Sequence, residues 1–257
     1  ITSDRFYADV ARDILEYVLR DMTGKDGEFF SAEDADSPLP DDPSRHAEGA
    51  FYVWEQREIA AALGKETAAI FDYHYGVEEK GNAPGDPQGE FRGKNILIVR
   101  HTLAETGRKF DKTPEETDRL LAGARLKLRE VRNRRPRPHL DDKTLTAWNG
   151  LMISAFARAA QVLEDPRYLA AAGRAAAFVE SRLSDKKTGA LSRRYRTGEA
   201  AIAGFADDYA CFIQGLLDLY EASFDVKWLM WAIELQKRQD AALWDKDGGG
   251  YFSAQGN

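Results

Sequence analysis

The sequence predicts a mainly α fold, an α/α toroid that is partial and carries a small α+β insertion. Three observations predict it. Residues 148–193 and 208–254 repeat at a shift of sixty positions (165 to 225), pairing Asp165 with Asp225, Leu169 with Leu229, Leu183 with Leu243, Asp185 with Asp245 and Gly189 with Gly249. The turn Phe29-Phe30-Ser31-Ala32 returns as Tyr251-Phe252-Ser253-Ala254. Segments apolar nearly all round alternate with segments that carry one apolar stripe. A repeated helix pair closed by a glycine turn implies stacked hairpins, none of which buries its apolar face alone.

The elements follow in order. Phe6, Val10, Ile14, Leu15, Val18, Leu19 and Met22 recur at helical spacing and predict an amphipathic helix over residues 4–22. Residues 166–183 and 226–243 read alike, and Pro166 suits a first helical position. Residues 146–163 and 206–220 hold few polar side chains, the pattern of a buried helix. This alternation predicts an inner and an outer ring. In that phase the first helix is an outer one, its inner partner is expected before Ile1, and the chain reads as a fragment.

Residues 33–113 break the pattern. Phe51–Trp54 and Asn95–Val99 read as strands, residues 55–63 and 66–73 as short helices, and the Gly- and Pro-rich stretch 79–95 as a loop. Gly81, Gly85, Gly89 and Gly93 form no phosphate-loop pattern. Thr113-Pro114-Glu115-Glu116 opens a further helix with a capping box, running to about Asn133. The domain reading is residues 1–32 and 114–257 for the hairpins and 33–113 for the insertion.

The 257 residues include one cysteine, so an internal disulfide is excluded, and Cys211 in its apolar run reads as an inert core thiol. The formal charge of −7 argues against a nucleic-acid partner. The basic stretch from Arg125 to Arg137 lacks interleaved aromatics and is interrupted by Glu130, so it reads as a solvated helix end. No apolar run is long enough to span a membrane and no signal peptide is visible, so no membrane partner and a cytoplasmic location are expected.

Three acidic clusters carry the candidate chemistry: Glu33-Asp34-Ala35-Asp36, Asp141-Asp142-Lys143, and Asp207-Asp208-Tyr209. The last two open inner helices, whose N-terminal ends face one mouth in a toroid, so they are expected to meet. Carboxylate pairs suit glycoside chemistry, one acid protonating the leaving oxygen while the other activates water or attacks. Asp141, Asp142, Asp207, Asp208, Asp34 and Asp36 are the acid/base candidates. Trp148, Asn149, Tyr209, His46 and Glu33 are the substrate-binding candidates, the two aromatic rings as platforms for a sugar face. The competing reading is that these acids cap helix N-termini. No cofactor or metal site is expected, since no two of His46, His74, His101 and His139 stand at ligand spacing and no EF-hand pattern follows Asp34. His139 stands two residues before Asp141 to orient it, and His74 reads as a packed helix-end residue.

The blocks Gly27–Asp36, Phe51–Trp54, Gly93–Leu97, Asp141–Ile153 and Asp207–Ala210 resemble the DUF255 family of thioredoxin-domain-containing proteins. The resemblance covers nearly the whole chain. It implies a six-hairpin glycosidase-like toroid, a fold shared with N-acylglucosamine 2-epimerases and glycoside hydrolases, and a thioredoxin-like domain before this chain begins. This chain has no Cys-x-x-Cys and does no dithiol chemistry itself. The leading expectation is a carbohydrate-active domain with a sugar or glycan ligand, a hydrolase ahead of an epimerase. The rival is a non-catalytic recognition or scaffold module. A truncated ring is also expected to self-associate.

Overall fold

The computed structural model describes residues 4–83, 89 and 91–255. Ile1, Asn257, Gly85 and the rest of 84–88 and 90 within the expected loop lie outside the described residues. The chain forms two compact units, Ile1–Ala32 with Leu140–Asn257, and Glu33–His139. The helices are α1 (Arg5–Asp21), α2 (Gln56–Leu63), α3 (Lys65–Tyr75), α4 (Leu103–Lys109), α5 (Pro114–Arg132), α6 (Thr146–Leu163), α7 (Pro166–Arg182), α8 (Ala206–Ser223) and α9 (Val226–Leu243). The strands are β1 (Ala32–Glu33), β2 (Asp36–Pro38), β3 (His46–Glu48), β4 (Leu140–Asp141), β5 (Thr144–Leu145), β6 (Ser192–Arg196) and β7 (Glu199–Ala203).

The first unit is a stack of α/α hairpins of the toroid class. The chemistry of its joints repeats. Asp4, Asp165 and Asp225 each cap an outer helix by accepting the amide two residues on, a cap worth about 1 kcal/mol. The inner helices α6 and α8 both end on a left-handed residue, Glu164 (φ 54°) and Phe224 (φ 55°), which turns the chain back into its outer partner. Each outer helix closes the same way. The amides of Phe30, Ser192 and Phe252 donate to the carbonyls of Met22, Leu183 and Leu243 at 2.9, 2.7 and 2.8 Å. Gly27, Gly189 and Gly249 take the positive φ these turns require.

Packing follows from the pattern. The inner helices touch at backbone distance, because a Cβ on Gly150 would lie 2.5 Å from the Cys211 carbonyl and one on Gly215 would lie 2.4 Å from the Gly150 oxygen. Ile153, Phe156, Phe212 and Leu216 fill the core with Tyr168, Ala172, Val179, Trp228 and Leu235 of the outer helices. Strands β5, β6 and β7 form an antiparallel sheet, with Thr144 opposite Tyr195 and Arg194 opposite Ala201.

The second unit has its own core of Trp54, Ile59, Ile70, Phe71, Leu121 and Leu128. Helix α5 belongs to it, so residues 114–139 join the insertion instead of the hairpins. The expected strands Phe51–Trp54 and Asn95–Val99 reduce to one antiparallel bridge, Trp54 to Asn95. Side-chain amides replace the ladder. Asn95 binds Glu78 and Trp54 backbone, and Asn82 binds Gly76 and Ile96. The β2–β3 hairpin and α4 were not expected from the sequence pattern. Among the described residues no helix is long and apolar enough to cross a membrane.

Candidate functional site

In the first unit α6 and α8 run side by side in the same direction. Asp208 accepts the Ala147 amide (3.1 Å), Asp218 accepts the Ser154 hydroxyl, and Gln161 donates to the Glu221 carbonyl (3.0 Å). A helix turns by about 100° per residue. Rotating away from this seam, α6 exposes Trp148, Leu151, Ala155 and Arg158, and α8 exposes Asp207, Ala210, Gln214 and Glu221. The two rows lie on opposite rotational sides of their own seams, so parallel helices open both on the same side. This is an open inner face.

Strand β6 holds two of the acidic clusters separately, since Arg193 and Arg196 are an odd number of residues apart and leave opposite faces of the strand. Arg193 donates to Asp207 (3.1 Å) and Asp208 (3.0 Å), and Arg196 donates to Asp142 (2.6 Å). The two arginines stand three residues apart on one strand, a rise of about 10 Å. Asp141 pairs with Lys143 at 3.0 Å, and its carbonyl accepts the Ser31 amide and hydroxyl. Burial opposes ionisation of Asp141, but the bonds from Lys143 and Ser31 prevail and hold its carboxyl below the usual range.

Asp208 is a structural knot. It is 1 % exposed. One oxygen takes the Ala147 amide, the other the Phe205 amide (2.9 Å) and Arg193. Burial is the largest influence and pushes its pKa up, against the two amides and Arg193. Two expected substrate contacts are corrected. Tyr209 is 2 % exposed and its hydroxyl accepts the Leu191 amide at 3.0 Å, so its ring is core and no platform. Asn149, 1 % exposed, clasps the backbone of Phe29 in both directions at 2.9 Å and also holds Leu145. Trp148, 52 % exposed, is the available ring.

Sequence reasoning missed Asp218 and the β6 arginines. Asp218, 3 % exposed, accepts from Arg158, Ser154 and Gln214. The available signal was polar Ser154, Arg158, Gln214 and Asp218 at helical spacing in otherwise apolar helices. Cys211 keeps its proton, since burial first, then Asp207 and Asp208, raise its pKa.

Glu33, Asp34, Asp36 and His46 belong to the second unit. Glu33 accepts from the Tyr52 hydroxyl (2.6 Å) and Arg137 (2.9 Å). Asp34 accepts the Asp36 amide, and Asp36 faces Glu48 across the β2–β3 hairpin. His46 is exposed at the far end of that hairpin, opposite Pro38. His139 holds the Asp34 amide through its carbonyl, so its bond to an acidic cluster is made by backbone and not by the ring. His74 is buried beside Thr106, and burial followed by Arg125 lowers its pKa. Among the described residues no three side chains gather as a metal site.

The class this geometry defines is an α/α-hairpin protein whose inner helices open on a polar, aromatic-edged face. The chain is 41 % identical to human spermatogenesis-associated protein 20 over 274 residues, covering 99 % of this chain and 35 % of that protein. It spans about a third (35 %) of the length of the curated relatives it matches. No family model matches it. Among solved structures it is similar to a sugar epimerase from a ruminal bacterium (14 % identity, 96 % of this chain, 73 % of that one, TM-score 0.41). It is similar to the same degree to a GH76 α-mannanase from Bacteroides thetaiotaomicron (14 %, 97 %, 74 %, TM-score 0.41). Likenesses of this size carry no argument about activity.

Proposed function

We propose that this chain is a carbohydrate-recognition module, holding a sugar or glycan on the open face of α6 and α8. The observation that supports it best is how the carboxylates are spent. Hydrolysis by paired carboxyls needs one of them protonated and able to reach the leaving oxygen. Asp208 is pushed up by burial, but both its oxygens are engaged by N–H donors and it does not meet solvent. Asp142, Asp207 and Asp141 are each already paired with a cation, Arg196, Arg193 and Lys143. Such pairs suit hydroxyl recognition, carboxylates accepting and guanidinium groups donating, with Trp148 beneath the apolar face of the ring. The sequence resemblance implies a thioredoxin-like domain as the companion of such a module.

A glycoside hydrolase or N-acylglucosamine 2-epimerase-like activity is the second reading, favoured by the upward pKa of Asp208. A panel of neutral mono- and disaccharides, titrated against the chain by calorimetry and indole fluorescence, separates the two. Trp148→Ala is expected to weaken binding about tenfold. Absence of binding across the panel refutes recognition. Turnover of aryl glycosides that Asp208→Asn abolishes, at unchanged sugar affinity, replaces it with catalysis.

We also propose self-association. Phe6, Val10 and Ile14 on α1 and Val226, Met230 and Ile233 on α9 form exposed apolar rows. Light scattering that shows growth of mass with concentration supports this, and a clean monomer refutes it.

A further inference from the structure

The second unit holds a cleft of about 510 Å³ whose lining includes Asp34, Glu48, Tyr52, Phe91, Ile96 and Arg132. Its walls are mostly apolar, and its charged lining is two carboxylates, Asp34 and Glu48, and one guanidinium, Arg132. Tyr52 and Ile96 are 40 % and 43 % exposed, apolar surface available for cover. The Tyr52 ring is fixed before any ligand arrives, because its hydroxyl donates to Glu33, whose other oxygen is held by Arg137. The Arg132 guanidinium lies over the rings of Phe51 and Tyr52, at 5.2 and 5.1 Å, and stiffens the same wall.

The rim is electrostatically unfinished. Asp36 stands directly opposite Glu48 in the β2–β3 register, and like charges so placed repel. The Gly49 amide donates to the Ala35 carbonyl at 2.9 Å, which keeps Asp34 beside that pair. Asp34 accepts one bond, from the Asp36 amide. Neither Asp34 nor Glu48 forms an ion pair among the described residues.

We propose that this cleft binds an organic ammonium ion, its apolar body against Tyr52, Phe91 and Ile96 and its cationic head between Asp34 and Glu48. The volume lies in the range of small-molecule sites. A head group there offsets the carboxylate repulsion, while the body covers exposed aromatic and aliphatic surface. This site is independent of the inner face of α6 and α8.

The test uses 2-phenylethylammonium as the probe and 2-phenylethanol as its uncharged match, titrated into the whole chain and followed by amide chemical shifts. The ammonium is expected to bind about fivefold tighter than the alcohol, with shifts centred on residues 34–54 and 91–97. Raising salt to about 0.5 M shrinks that preference. The double variant Asp34→Asn, Glu48→Gln brings the ammonium down to the alcohol's affinity without a fall in melting temperature, since both side chains are exposed and the Asp36–Glu48 repulsion is relieved. Equal affinity for the two probes, shifts confined to other residues, no shifts at all, or a preference that survives the double variant overturns the proposal.

Discussion

Asp208 and Asp218 stand ten residues apart on α8, both almost wholly buried against α6, and their surroundings treat them in opposite ways. Burial raises the pKa of Asp208 in spite of two amides and Arg193. At Asp218 burial pulls the same way, but Arg158, Ser154 and Gln214 outweigh it and hold the carboxyl low. The difference lies in how the cation is shared. Arg193 divides its donors between Asp207 and Asp208, whereas Arg158 serves Asp218. An acid at an inner-helix N-terminus is thus not chemically equivalent to one a few turns along. The first ties two helices together, and the second forms a complete ion pair in their seam.

The largest effect is expected from Asp208→Ala. It leaves two helix-start amides without their acceptor and Arg193 with Asp207 alone, and a loss of about 3 kcal/mol is expected in urea unfolding. Asp208→Asn keeps the shape and costs less. Gly215→Ala comes next, because its new methyl meets the Gly150 carbonyl across the seam. Forced separation of α6 and α8 costs about 2 kcal/mol and loosens both carboxylate ties together. Asp218→Asn follows at about 1.5 kcal/mol near neutral pH.

The pH dependence sharpens the contrast. The folded pKa of Asp218 is lowered, so its stabilisation is present above the ordinary carboxylate value of about 4 and is lost as pH falls through the lowered one. Asp208 has the reverse sign. Its pKa is raised, so its contribution is fully present below about pH 4 and declines as pH rises through the raised value. Urea midpoints measured from acid to neutral pH should therefore lose part of their acid-side drop in Asp218→Asn and part of their decline toward neutrality in Asp208→Asn. The smallest stability effect belongs to Trp148→Ala. Its exposed ring contributes within about 0.5 kcal/mol, so any loss of sugar binding there is not a loss of fold.

The hairpins were legible in the sequence because their signals are local and repeated. Asp165 and Asp225 announce caps, and Gly189 and Gly249 announce turns, each within one helical turn of what it controls. The insertion was less legible. Asn82 and Asn95 do there what strands do elsewhere, and nothing in local propensity marks an asparagine that reads distant backbone. Helix α5 was legible as a helix from its Thr113 cap, but not in its allegiance, which depends on Leu121 and Leu128 meeting the Trp54 and Phe71 core. The acidic motifs fall just before or within the first turn of α6 and α8. They did not show that Tyr209 faces inward, which depends on how α8 packs in the core, or that Arg193 and Arg196 arrive from a strand, which depends on the pairing of β6.

The three matching joints, Met22 to Phe30, Leu183 to Ser192 and Leu243 to Phe252, carry a genealogical consequence. Each closes an outer helix with one amide-to-carbonyl bond across eight or nine residues. A duplication of the segment from Leu183 to Leu243 would reuse the closure that already joins α7 to α8, so a lineage can add such a round in a single genetic event without inventing a new connection.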